Sequence, residues 1–323
     1  MARFPFGIPN SWFHVAYSDE LSKGDLKTVH FLGRDLVVFR GENGKVGVLD
    51  AYCPHIGAHL GVGGKVVDNA VECPFHSWRF DCTGTCVSIP YTDKIPSQAK
   101  AGSYPVDEKN GMIFIWHHTD GKEPDFEIPV IAQWGADDWT TSYDKYSWVV
   151  KTHPQEIMEN AIDWQHFQKV HHMDPPKNTD SSFEDKMFTW SIGTSKRIQT
   201  MDNVEDNFCI EAENWGMGFN WLSYTGMFTT VIAAGLTPID DETTRIHFGV
   251  IGKNDGRTEE ETRQILKAYM DDQSLAIQQD FQIWEHKAFN VRPALCDADG
   301  PVGEYRNWTK QFYSHDWSKG PAA

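Results

Sequence analysis

From Trp12 to about Trp116, apolar and polar residues alternate in short runs closed by Gly, Asp or Asn: "KTVHFLG", "RDLVVFRG", "KVGVLDAY", "AVECPFH", "WRFDCTG" and "SYPVDEKNGMIFIW". Period-two runs rich in β-branched and aromatic side chains predict an all-β module. The alternation lapses in the polar, proline-containing "HHTDGKEPDFEIP", so domains are expected at residues 1–120 and 121–323. Next, "HPQEIMENAIDWQHFQKVHH" has helical composition, with Pro154 suited to a first turn. Strand patterns return in "MFTWSIGTS", "NFCIEAENW" and "LSYTGMFTTVIAAGLTPIDDETTRIHFGVIG", the last pair turning through "PIDDET". From about Thr258 to Phe289 a helical period follows a first turn of glutamates, predicting a long amphipathic helix. The fold class expected is α+β, with the second domain an antiparallel sheet packed against helices.

Composition narrows the function. The chain has 323 residues, 40% of them hydrophobic, which is enough for two cores. Its 29 basic and 46 acidic side chains give a formal charge of -17, which argues against a nucleic-acid partner. No apolar run reaches bilayer length, and "MARFPFGIPNSWFHVAYSDEL" lacks the apolar core of a secretory signal, so a cytoplasmic protein with no membrane span is expected. Six cysteines are too few for a disulfide framework, and Cys82 and Cys86 are read as free thiols.

The chemistry concentrates in two places. In "CPHIGAHLGVGGKVVDNAVECPFHSW", Cys53 and His55 form one short cluster and Cys73 and His76 another. Two thiolates and two imidazoles suit either a tetrahedral zinc or a two-iron cluster. Each loop here supplies one ligand of each kind, which lets one iron take both thiolates and the other both imidazoles, the Rieske arrangement. The sequence C-P-H, a spacer, then C-P-F-H-S-W-R-F resembles the cluster motif of Rieske oxygenases and Rieske ferredoxins. His59 falls outside that pattern and is read as a polar neighbour; Lys65, Arg79 and Lys94 flank the loops as ordinary surface charges.

The second place is "ENAIDWQHFQKVHH", where Asp163, His166 and His171 follow N-x-x-D-x-x-H-x-x-x-x-H. Two imidazoles and a carboxylate on one face of an iron form the facial triad of non-haem Fe(II) oxygenases. Residues five apart on an unbroken helix point about 140° from each other, so a break or bulge between His166 and His171 is predicted. His172 is no better placed.

With both motifs present, almost the whole chain resembles the α-subunit of a Rieske non-haem iron oxygenase. The resemblance implies a helix-grip-like catalytic domain, a [2Fe-2S] cluster and a mononuclear Fe(II). It nominates Asp280, in "QQDFQIWEHK", as the third iron ligand. The apolar neighbours of Asp280 agree, because a carboxylate on a buried face needs a partner; Asp271 and Asp272 are read as the solvated face of the same helix. The resemblance also makes Asp163 the carboxylate bridge between His76 of one subunit and His166 of its neighbour, hence a head-to-tail homotrimer. O2 is the implied co-substrate, and NAD(P)H electrons arrive through a separate ferredoxin or flavin reductase.

The segments "EIMENAIDWQHFQKVHH", "LTPIDDETTRIHFGV" and "QQDFQIWEHKAFNVRPALCDADGPVGEYRNWTKQFYS" are similar to the ketosteroid 9α-hydroxylase, cholesterol 7-desaturase and bacterial sterol demethylase branch. That implies a monooxygenase that hydroxylates a C–H bond of a hydrophobic steroid or sterol, with demethylation where the carbon belongs to a methyl group. The strands in "NWGMGFNWLSYTGMFTTVIAAG" supply apolar walls suited to such a substrate. Two other readings stand beside it. One is an oxygenase of smaller methylated aromatics. The other is a protein without this chemistry, an electron carrier with a binding domain or a lipid-binding protein.

Overall fold

The computed structural model describes residues 3–198, 202 and 204–315. It divides into one unit of Trp12–Pro129 and another of Met1–Ser11 with Val130–Ala323.

In the first unit, β1 (Ser11–Tyr17), β2 (Leu26–Phe31), β3 (Arg34–Arg40), β4 (Val46–Asp50), β5 (Lys65–Val67), β6 (Ala70–Glu72), β7 (Arg79–Asp81), β8 (Cys86–Ser88), β9 (Val106–Lys109) and β10 (Met112–His117) build three small antiparallel sheets. Their orders are β1-β10-β9, β2-β3-β4 and β5-β6-β7-β8. The run "SYPVDEKNGMIFIW" is two strands rather than one, because Asn110 and Gly111 both take left-handed backbone, with φ of 55° and 69°. Two such residues make the tight turn whose twist matches antiparallel strands. The strand expected over "AVECPFH" stops at Glu72, which releases Cys73 into a loop. Leu49, Leu60, Val71 and Phe80 form a core that includes the Cys53 and Cys73 side chains.

In the second unit, β11 (Asp144–Val150), β12 (Lys177–Glu184), β13 (Met187–Ile198), β14 (Val204–Trp215), β15 (Phe219–Thr225), β16 (Thr230–Asp240) and β17 (Thr243–Gly252) form one antiparallel sheet, ordered β11-β17-β16-β15-β14-β13-β12. The helices are α1 (Pro154–Asn160), α2 (Trp164–Lys169), α3 (Glu259–Trp284) and α4 (Val302–Thr309). The β16–β17 hairpin turns between Asp240 and Thr243, inside the expected "PIDDET". Helix α3 opens on a capping box in which Thr258 and Glu261 satisfy each other's backbone N–H. It closes five residues before Phe289, where the Arg3 guanidinium donates to the carbonyls of Trp284 and Glu285. Two short helices replace the single helix expected over "HPQEIMENAIDWQHFQKVHH". Tertiary packing sets the break: Gly300 lies so close to the Ile162 carbonyl that a Cβ there would stand 1.7 Å from the oxygen.

His153 starts α1. Its Nδ1 accepts the Gln155 N–H at 3.1 Å, and its Nε2–H donates to the Gly7 carbonyl at 3.1 Å. Burial pulls its pKa down from 6.5 to about 3. The unfolded chain therefore binds a proton that the folded chain refuses. The contribution of His153 is complete above about pH 6.5 and is lost as the pH falls towards 3, a span worth roughly 5 kcal/mol. Denaturant midpoints at pH 7, 5 and 4 should drop less steeply in His153→Gln than in wild type. Parallel drops would show that this imidazole does not drive acid lability.

Candidate metal centres

Cys53 to Gly57 and Cys73 to Ser77 form the same turn twice. The N–H of Gly57 donates to the Cys53 carbonyl at 2.9 Å and that of Ser77 to the Cys73 carbonyl at 3.0 Å. Gly57 and Ser77 both take left-handed backbone, with φ of 83° and 55°. Each cysteine N–H then donates to the residue five positions on, Ala58 or Trp78, at 2.8 Å. The paired turns bring the rings of His55 and His76 to 4.8 Å, inclined at 71°. His55 lies flat on Trp78 at 4.3 Å.

The donor set fits a two-iron cluster. Both thiols are buried, and burial, reinforced by nearby Cys73, pushes the Cys53 thiol up to about 11. A thiol in that state keeps its proton in water, and a metal cation binding at the sulfur would displace that proton to solvent. Nδ1 of His76 is buried with no hydrogen-bond partner among the described residues, a nitrogen whose lone pair wants a ligand. His59 faces another task, accepting the Gly61 N–H at Nδ1 at 3.1 Å. Lys65 and Arg79 both pair with Glu72, at 3.3 and 2.8 Å, so they offer no uncompensated basic rim. All six cysteines are free, Cys82 and Cys86 included.

The second centre forms where α2 ends. The Val170 N–H closes the helix on the His166 carbonyl at 2.7 Å, and His172, with φ of 55°, turns the exposed chain away. Released from helical geometry, His171 swings beside His166, with ring centroids 5.0 Å apart. Asp280 of α3, 5% exposed, completes a group whose ligand atoms all lie within 4.8 Å of one another. Nε2 of His171 is 3.4 Å from the Asp280 carboxylate.

Both imidazoles are oriented from behind. Nδ1 of His171 donates to Gln279 Oε1 at 3.0 Å, and Nδ1 of His166 donates to the backbone carbonyl of Asp163. Each ring therefore presents Nε2, the arrangement of a ligand fixed by a second partner. Burial holds the His166 pKa below its usual value, favouring the neutral, ligating form. Asn160 Nδ2 stands 3.0 Å from His166 Nε2. Two imidazoles and one carboxylate at this spacing fit a divalent iron.

Three features differ from or add to the sequence reading. The group facing Nδ1 of His166 is the Asp163 carbonyl, while the Asp163 carboxylate that was expected to link the two centres is half-buried. Asp272 is not on the solvated face of α3. It is 7% exposed and pairs with Lys196 at 2.5 Å, and only Asp271 lies at the surface, paired with Lys267. A buried carboxylate and ammonium tolerate burial only together. Gln279 was missed, although it adjoins Asp280 in the quoted segment, and Asn160 is the first residue of the N-x-x-D-x-x-H pattern.

The triad opens on a cavity of about 150 Å³ lined by Met158, Phe167, Met173, Trp190, Ile232 and Leu236 among others. Alternate residues of the predicted apolar strands line it, namely Asn214, Asn220, Leu222 and Tyr224. On its other side His171 borders a polar cavity of about 480 Å³ walled by Asp174, Ser195, Lys196 and Asp272.

Residues 11–99 match the Rieske [2Fe-2S] domain, and residues 115–313 match the 3-ketosteroid 9α-hydroxylase C-terminal domain. The chain belongs to the Rieske oxygenases. It is similar to a cholesterol 7-desaturase of Ciona intestinalis, 33% identical over 96% of this chain and 69% of the relative. It is also similar to a probable 3-ketosteroid-9-alpha-monooxygenase oxygenase component of Rhodococcus rhodochrous, 31% identical over 96% of this chain and 81% of the relative. Among solved structures, dicamba monooxygenase bound to dicamba superposes with a TM-score of 0.69 at 18% identity, covering 94% of this chain and 97% of the other, a likeness of fold. A Rieske oxygenase of this group is an oxidoreductase with a [2Fe-2S] cluster and a mononuclear iron, and it uses O2 and NAD(P)H-derived electrons.

Proposed function

We propose that this chain is the terminal oxygenase of a system that hydroxylates a steroid- or sterol-like substrate. Cys53, His55, Cys73 and His76 hold the cluster, and His166, His171 and Asp280 hold the mononuclear Fe(II). The observation that carries this reading is the convergence of three donor atoms within 4.8 Å at the wall of an apolar cavity. When bound, the two centres supply single electrons and O2 activation. The residues around them supply position and exclusion. Gln279 and the Asp163 carbonyl keep both Nε2 atoms turned to the site, while Trp190, Ile232 and Leu236 keep water from the substrate face.

The cavity is below the usual volume for drug-sized ligands, so a fused-ring substrate must displace side chains as it enters. The unbranched thioethers of Met158 and Met173 can yield by rotamer change. The small volume is also the observation that favours the second reading, a single-ring methylated aromatic substrate. Substrate-dependent O2 uptake, with reductant supplied artificially, separates the two when steroids and methoxybenzoates are compared. Label from 18O2 in a hydroxylated steroid supports the first reading, while uptake with methoxybenzoates alone replaces it with the second.

The relatives named "oxygenase component" support a separate ferredoxin or flavin reductase as electron source for this chain too. The assignment of residues 1–120 to the cluster domain and 121–323 to the catalytic domain belongs to the same proposal. So do the homotrimer and the cytoplasmic location; the free cysteines suit a reducing compartment, and among the described residues no helix is long and apolar enough to cross a membrane.

In a trimer, Asp163 would link the two centres, its carboxylate reaching the partner's cluster histidine while its backbone carbonyl accepts from His166 Nδ1. Asp163→Asn should keep its iron and a reducible cluster while losing about 10- to 100-fold in turnover. Single-turnover oxidation of the pre-reduced cluster is the measurement, and an unchanged rate would remove Asp163 from the electron path.

A further inference from the structure

The inner face of α3 carries Asp280 and, seven residues earlier, Gln273. Seven residues are two helical turns, so both side chains leave the same face about 10 Å apart along the axis. Both line the cavity, together with Ala276 and Ile277 between them. Gln273 is 7% exposed, yet its Nε2 is buried with no hydrogen-bond partner among the described residues. The Tyr269 hydroxyl, one turn earlier, interacts with the Gln273 side chain, although the two do not close a hydrogen bond of normal geometry. Such a donor costs stability unless something accepts from it; the surrounding wall is mostly apolar, and of its few polar side chains, Asn214, Asn220 and Tyr224 among them, none is a hydrogen-bond partner of Gln273 Nε2.

We infer that Gln273 is a specificity-determining residue that donates a hydrogen bond to an oxygen at the end of the substrate remote from the carbon attacked. This rests on the fused-ring reading above and deepens it. Asp280 marks the reacting end and Gln273 the far end of one cavity. A rigid polycyclic nucleus bridges that span, whereas a single aromatic ring held at the metal end does not. The matching group is an acceptor, a ketone or a hydroxyl oxygen, carried on an otherwise apolar body. The bond fixes which carbon of the nucleus lies at the metal, because a rigid substrate held at one end has little freedom to slide at the other.

The test uses the iron-loaded full chain under anaerobic conditions. Dissociation constants are measured by equilibrium dialysis for one saturated steroid nucleus bearing a single ketone at C3, a single ketone at C17, or no oxygen. In Gln273→Leu, the constant for at least one ketone should rise about tenfold, while that of the hydrocarbon stays within about twofold. Gln273→Met, closer in shape to glutamine, should behave alike and guards against a folding defect in the first variant. Iron per chain should match wild type in both. If the variants weaken ketone and hydrocarbon equally, or neither, Gln273 does not read the oxygen and the inference is overturned while the fused-ring reading stands. If wild type binds none of the three, the fused-ring reading itself fails and this inference falls with it.

Discussion

In Asp280→Ala, iron per chain should fall from about three to about two while acid-labile sulfide stays at about two. Asp280 supplies the only carboxylate of the triad, it is buried, and its oxygen lies 3.4 Å from Nε2 of His171. Alanine leaves two neutral imidazoles with no charge to balance a divalent cation. Loss of a Lewis acid worth several kcal/mol, at 1.36 kcal/mol per tenfold, lowers turnover by roughly a thousandfold or more. The cluster loops belong to the other structural unit, so the visible spectrum of the cluster should survive. An Asp280→Ala protein that retains about three irons after Fe(II) reconstitution would remove Asp280 from the metal site.

The complementary result is expected for Cys73→Ser. Iron should fall from about three to about one, sulfide should vanish, and so should the colour of the cluster. Cys73 is fully enclosed between β6 and β7, where its N–H is committed to Trp78 and its carbonyl to Ser77, so the loop persists and only the sulfur is lost. A serine hydroxyl in that enclosure does not ionise to replace a thiolate. Turnover driven by NAD(P)H through a reductase should be abolished, whereas the mononuclear site still binds its single iron. Together the two variants count the centres independently. If Cys73→Ser retained a normal cluster spectrum, the ligand set named here would be wrong.

Much of this was legible in the sequence because the chemistry is local. The proposed cluster ligands sit in two turns of five residues each, and both turns follow from C-P and a residue that tolerates left-handed backbone. The Thr258–Glu261 cap was likewise readable within one turn. What was hidden depends on partners distant in the chain. The end of α2 between His166 and His171 was expected, but the earlier break between α1 and α2 was not, because the approach of Gly300 to the Ile162 carbonyl cannot be read from either segment alone. Asp272 resembles its exposed neighbour Asp271 until Lys196, 76 residues away, is brought beside it. The predicted strand segments omit β1, β5 and β8 of the first unit, and in the seven-stranded sheet they omit β11 and β12, its two edges. Edge strands pair on one side only and carry more polar residues, so their apolar signal is weaker than that of β16, which is buried along almost its whole length.

The placement of the triad bears on handling as well as on chemistry. His166 and His171 stand at the end of α2, and Asp280 lies well along α3, on a segment far removed in the chain. A metal held by all three is a staple that ties those helices together, and a ligand that binds only the folded form adds its binding energy to folding. Iron-free protein is then a looser molecule as well as an inactive one, and variants of the second unit are comparable in stability only at equal metal loading.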